Sequence, residues 1–209
     1  MRAFSQILTL LVLIAGPLVA QTRVIDGDTL EIDGKVYRLN GIDAPEHGQT
    51  CGDWTCGADA TDALAGLVEN EKVLCDPLDE DVYGRSIATC FVGELDLGRS
   101  LVDKGHAWAF LQYSEVYAAE ERAAKARQTG IWSGQYQPPW DYRRDRWSSA
   151  DEGPNGCRIK GNISQNGRIY HAPWSPWYGR TRISLDKGER WFCDEAEALE
   201  AGWRAPYWN

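Results

Sequence analysis

Three short segments of the 209-residue chain hold the side chains best suited to chemistry. Asp26-Gly27-Asp28-Thr29 brings two carboxylates together around a turn. Arg38-Leu39-Asn40-Gly41-Ile42-Asp43-Ala44-Pro45-Glu46 adds a guanidinium and two further carboxylates. Asp81-Val82-Tyr83-Gly84-Arg85 adds a second guanidinium at what reads as a hairpin tip. Each segment alone is weak, since Asp-Gly-Asp is a common turn and an arginine on a strand is often a rim charge. Taken together they supply oxygen ligands for a hard cation such as Ca²⁺, which prefers carboxylates and carbonyls. They also supply a spare carboxylate to accept a proton and two planar forks that grip phosphate oxygens bidentately. That set suits metal-assisted hydrolysis of a phosphodiester.

The elements that must position these groups are short. Residues 22–25 and 29–32 read as strands around the Asp-Gly turn, and Asp33-Gly34 marks a second hairpin turn into a strand over 36–42. Residues 58–69 read as a helix with Ala60, Leu64, Leu67 and Val68 on one face. Strands over 72–75 and 87–92 would flank a long acidic loop from Asp76 to Asp81. Asp96 caps a helix that stops at Gly105, and Ser114 opens another that runs to Gln128. Many short strands with glycine turns and a few packed helices fit a small closed barrel of the OB type, mainly β with α.

In the order and spacing of the three segments, the stretch from Thr22 to Trp140 resembles the thermonuclease, or staphylococcal-nuclease-like, family. The resemblance implies a five-stranded OB-type barrel and a Ca²⁺-dependent nuclease acting on DNA and/or RNA. It implies that Asp28, Asp43 and the backbone carbonyl of Ala44 hold the metal, and that Arg38 and Arg85 bind phosphate. Glu46 is the implied general base, with Tyr83 and Tyr113 as substrate contacts. Ala44 stands where such proteins usually carry threonine, a change that a carbonyl ligand tolerates. The alternative is a catalytically silent nucleic-acid or envelope binding module. Loss of any of the five charged groups would favour it, and none is lost. Trp108 and Phe110 alternate with alanines and read as core, and His106 reads as structural.

Charge and cysteine content narrow the setting. The net charge is −9, concentrated in residues 21–139, which hold 10 Lys and Arg against 21 Asp and Glu. That excludes a generic basic nucleic-acid coat and means the acidic groups must be screened or metal-bound before a polyanion approaches. Residues 1–20 read as a signal peptide: Arg2, then an apolar run too short to span a bilayer, then a break at Gly16-Pro17. A periplasmic or secreted monomer without a membrane anchor is expected. Six cysteines in an exported chain favour disulfides, and proximity along the chain suggests Cys51–Cys56, Cys75–Cys90 and Cys157–Cys193.

The organisation that follows is a signal at 1–20, a barrel domain at 21–147, a polar linker at 148–156 and a small module at 157–209. The last has too few residues for a large core, so a disulfide staple would help it. Its segments Gly167-Arg168-Ile169-Tyr170-His171-Ala172-Pro173 and Gly188-Glu189-Arg190-Trp191-Phe192-Cys193 resemble a module appended to some bacterial nucleases of this kind. Tyr170-His171-Ala172-Pro173 also resembles the metal-binding domain of Ada-type repair proteins. Zinc on Cys157, His171 and Cys193 would lack the fourth ligand that a structural site wants.

Overall fold

The computed structural model describes residues 22–207; the expected signal at 1–20 lies outside them. Strands β1 (Thr22–Asp26), β2 (Thr29–Ile32) and β3 (Lys35–Leu39) form an antiparallel meander. Strand β4 (Ile42–Asp43) leaves this sheet. Helix α1 (Cys56–Val68) follows, then β5 (Val73–Glu80), β6 (Ser86–Val92) and β7 (Leu95–Asp96). The sheet runs β1-β2-β3-β6-β5, with β7 also on β6 and the β3–β6 pair parallel. Helix α2 (Leu97–Asp103), strand β8 (Trp108–Ala109), paired with β4, and helices α3 (Ala118–Arg127) and α4 (Pro139–Ser148) complete this OB-type part.

Apolar periodicity accounts for the core. Val24, Leu30, Leu39 and Ala88 point inward from the strands. Ala60, Leu64 and Val68 recur at helical spacing on α1, and Leu97, Leu101 and Val102 close the cluster from α2. Asp96 caps α2 as expected, its carboxylate accepting the N–H of Arg99 at 3.0 Å.

Three expected elements differ. The strand read over 36–42 breaks at Asn40-Gly41, where Gly41 takes φ +73° and sends Asp43 toward β8. The supposed acidic loop from Asp76 is mostly strand, because β5 continues to Glu80 across a bulge between Pro77 and Asp79. The helix expected from Ser114 begins only at Ala118. Tyr117 is instead buried, with its hydroxyl 3.0 Å from both carboxylate oxygens of Asp96, a position that a helix opening at Ser114 would rotate away.

Beyond α4 a second sheet forms from β9 (Ile159–Ser164), β10 (Gly167–His171) and β11 (Arg190–Phe192), with α5 (Glu195–Glu200) beside it. Its own core holds Ile159, Tyr170, Phe192, Ala198 and Trp203, and Trp147 of α4 packs against it. All three suggested disulfides form: Cys51–Cys56, Cys75–Cys90 and Cys157–Cys193. The thiols of the zinc reading are thus spent, and His171 is engaged elsewhere, with Ser175 Oγ at 3.2 Å and Asn162 Oδ1 at 3.1 Å. Among the described residues no helix is long and apolar enough to cross a membrane.

Candidate active site

The site grows out of the first two hairpins. Pairing of β2 with β3 sets Thr29 opposite Arg38, and the Leu39 N–H donates to the Asp28 carbonyl at 2.8 Å. This brings the Asp28 and Arg38 side chains together, with Arg38 Nη1 2.7 Å from Asp28 Oδ1. The other arm of the guanidinium reaches Asp43 Oδ1 at 2.9 Å. A bulge between Val24 and Asp26 re-aims the preceding residues, as bulges beside functional sites often do. Gly27 permits the close packing behind: a Cβ there would lie 2.8 Å from Ala44 Cβ and 2.9 Å from Ala60 Cβ. Ala44 in turn donates its N–H to Asp28 Oδ2 at 2.9 Å, so the small side chain lets the turn and the strand meet.

Glu46 is held by a compact loop. Its carbonyl accepts the Gln49 N–H at 2.7 Å, and its own N–H donates to Gln49 Oε1 at 3.2 Å. Gln49 is buried and donates its Nε2 to the Gln137 carbonyl at 2.7 Å, tying the loop to the segment before α4. The Cys51–Cys56 bridge closes the loop onto α1. Gly57, in the first turn of α1, backs directly onto it: a Cβ there would lie 1.7 Å from the Glu46 carbonyl oxygen.

A residue that sequence reasoning missed completes the cluster. Arg143 on α4 places Nη2 2.7 Å from Asp43 Oδ2, and Nη1 2.7 Å from Glu46 Oε1 and 3.1 Å from Asp43 Oδ1. Four carboxylates (Asp26, Asp28, Asp43 and Glu46) thus crowd around two guanidiniums. The imbalance appears in their acidities. Burial, then the charges of Glu46 and Asp28, push Asp26 well above the usual carboxylate range. Burial opposed by Arg143 leaves Glu46 raised to about 7. Burial also works against ionisation of Asp28, but Arg38, the Ala44 N–H and the Thr29 hydroxyl outweigh it and hold that carboxyl low. A buried, oxygen-rich donor set with surplus negative charge fits a hard divalent cation.

Arg85 approaches from elsewhere. At the β5–β6 tip the Asp81 carboxylate accepts the N–H groups of Tyr83 and Arg85, each at 2.9 Å, and Arg85 Nε at 2.7 Å. Gly84 takes φ +74° to close the turn. Asp81 therefore orients Arg85, and Nη1 and Nη2 make no hydrogen bond or ion pair among the described residues. Arg85 and Tyr83 line one cavity, of about 670 Å³, together with Asp28, Arg38, Glu46 and Arg143. Tyr113 does not line it; it is 75% exposed, its ring 4.7 Å from that of Phe110. Trp108 is buried against Trp132 and Trp140.

The chain has relatives among known proteins. The family model for staphylococcal nuclease homologues matches residues 36–134. Over 129 residues the chain is 37% identical to the succinoglycan biosynthesis protein ExoI of Rhizobium meliloti, covering 58% of this chain and 68% of that protein. The chain belongs to the staphylococcal nuclease family. The nuclease is also 34% identical over 149 residues to the protein ParB of Escherichia coli, covering 63% of this chain and 81% of that one. It is 35% identical over 129 residues to the probable staphylococcal-like nuclease CAN3 of Oryza sativa subsp. japonica, covering 59% and 33% respectively. The nuclease is thus a hydrolase of phosphodiester bonds, with nucleic acid as its substrate class. A second family model, ArfC, matches residues 146–205 of the nuclease.

Proposed function

We propose that this protein is an exported, Ca²⁺-dependent nuclease that hydrolyses phosphodiester bonds of DNA and/or RNA at the Asp28–Asp43–Glu46 cluster. The observation that carries the reading is the convergence of Asp28, Glu46 and Arg38 at one cavity that Arg85 also lines, with Asp43 bonded to Arg38 just behind them. Asp28, Asp43 and the Ala44 carbonyl would hold Ca²⁺, which when bound polarises a phosphoryl oxygen and helps orient water. Glu46, raised to about 7, takes the proton from that water. Arg38 and Arg85 face the growing negative charge on the phosphate oxygens, a role that suits fixed guanidiniums in a sheltered site. Arg143 orients Glu46 and Asp43. Three disulfides agree with an oxidising compartment, and export by the segment at 1–20 accounts for it.

The test is degradation of plasmid DNA and of RNA by the purified protein with Ca²⁺ and then with excess chelator. Cleavage that requires Ca²⁺ is expected. Cleavage that persists in chelator overturns the metal assignment, and nucleic-acid binding with no cleavage points to a silent binding module instead.

A further inference from the structure

The cavity that holds the carboxylate cluster has two unlike walls. One belongs to the barrel. The other is built from residues beyond the staphylococcal-nuclease match, among them Tyr170, Trp174, Glu195, Arg204 and Tyr207. This second wall is fastened to the first at several points. The Tyr207 ring lies between two guanidiniums, with Arg23 Cζ 3.4 Å and Arg204 Cζ 3.7 Å from its centroid. Arg23 is itself on β1 and paired with Glu31 at 2.7 Å. Pro176 packs over Gly48, where a Cβ would stand 3.2 Å from the proline ring. Trp174 meets Trp147 of α4 with ring centroids 6.3 Å apart.

Size and lining together suggest what enters. A cavity of about 670 Å³ is in the range that encloses a small ligand. The lining combines arginines with aromatic rings, the combination that tracks a single strand: cations follow the phosphates and rings stack on bases. His47, Pro176 and Tyr207 border this cavity and also a second one of about 1020 Å³, so a strand crossing the cluster has room on either side of that ridge.

We propose that the C-terminal module is the substrate-selecting wall of the nuclease. It admits one unpaired nucleic-acid strand, takes a base on Trp174, and keeps duplex away from the carboxylate cluster. The inference rests on the nuclease reading above and adds the strand form of the substrate and the residues that select it.

The experiment uses the full chain with Ca²⁺. Cleavage kinetics and fluorescence-anisotropy binding are compared for a single-stranded oligonucleotide and for the same sequence in a blunt duplex with G·C-rich ends. Wild type is expected to prefer the single strand by about tenfold or more in both kcat/KM and Kd. Trp174→Ala should raise KM for the single strand about 5- to 150-fold, the range for losing one stacked base, with kcat little changed, and Trp174→Phe should restore most of it. Tyr207→Ala, which unfastens the wall, should narrow the preference by speeding cleavage of duplex. Equal cleavage and binding of both forms by wild type, or an unchanged KM in a folded Trp174→Ala, overturns the proposal. So does a Tyr207→Ala variant that speeds both substrates alike, which would make the module an inhibitory cover. Strand-selective binding without cleavage sinks the nuclease reading and leaves the wall standing, whereas cleavage without strand selectivity does the reverse.

Discussion

Arg143 and Asp43 lie 100 positions apart in the chain, and their side chains meet in a bidentate pair at 2.7 and 3.1 Å. Asp43 is fully buried. Removing the partner of a buried charge costs about 3–5 kcal/mol where the remaining charge is left uncompensated; here Arg38 Nη2 still pairs with Asp43 Oδ1 at 2.9 Å, so a smaller loss is expected. Arg143→Ala should therefore lower the melting temperature, and added Ca²⁺ should recover more stability in this variant than in wild type. Thermal melts with and without Ca²⁺ check both halves. Since Arg143 pulls the acidity constant of Glu46 down, the lower limb of the pH–rate profile should also move to higher pH in the variant.

Much of this site was legible locally, and Arg143 was not. Asp28 and Arg38 lie within the first two hairpins, and Asp43 and Glu46 follow in the short segment just after β3, so strand pairing and a short turn bring most of the cluster together. Arg143 sits in the run Asp141-Tyr142-Arg143-Arg144-Asp145-Arg146, which looks like a solvated charged face. One signal was present: Trp140, Arg143 and Trp147 recur at helical spacing and so share a face. Trp140 stacks on Phe110, and Trp147 packs on the second core. Arg143 is the cation carried between two indoles that pack against neighbouring elements. The docking of residues 170–207 onto the cavity had no such signal, because contact between two separately cored units leaves no periodic trace in either.

Replacing either proposed metal carboxylate by its amide keeps shape and removes charge. Asp28→Asn and Asp43→Asn should abolish Ca²⁺-dependent cleavage while circular dichroism stays native. Calorimetric titration with Ca²⁺ should show the loss of affinity directly. A variant that cleaves at the wild-type rate would contradict the assignment.

Glu46→Gln should slow the chemical step by about 10²–10⁴-fold, the usual worth of a positioned base. Single-turnover kinetics at saturating enzyme isolate that step. The variant should also lose the limb of the pH profile near neutrality that the raised acidity constant of Glu46, about 7, produces in wild type.

Arg85→Lys keeps the charge but loses the fork. Asp81 already holds Nε, so the two terminal nitrogens are the ones offered to substrate, and a lysine has no counterpart to that arrangement. A fall of about 10²–10³ in kcat is expected, on the scale of one lost transition-state donor, with a smaller change in KM.

His171 gives the C-terminal module a pH dependence of its own. Burial, reinforced by Arg180 and Lys160, pushes the imidazole down to about 4, whereas an unfolded histidine titrates near about 6.5. As pH falls, the unfolded state takes up the proton first. The stability contributed is therefore complete above about 6.5 and is lost progressively down to about 4. Melts of wild type and His171→Gln between those limits should show a shallower decline in the variant.

Gly57 carries a consequence for anyone altering this protein. It bears no functional group, yet the space where a side chain would begin is already filled by the Glu46 carbonyl. A library that spares every charged residue and randomises the neighbouring helix would inactivate the protein at this address. The failure would be mistaken for misfolding, although its origin is a displaced base. Tolerance to change here follows backbone proximity to Glu46 more closely than side-chain chemistry.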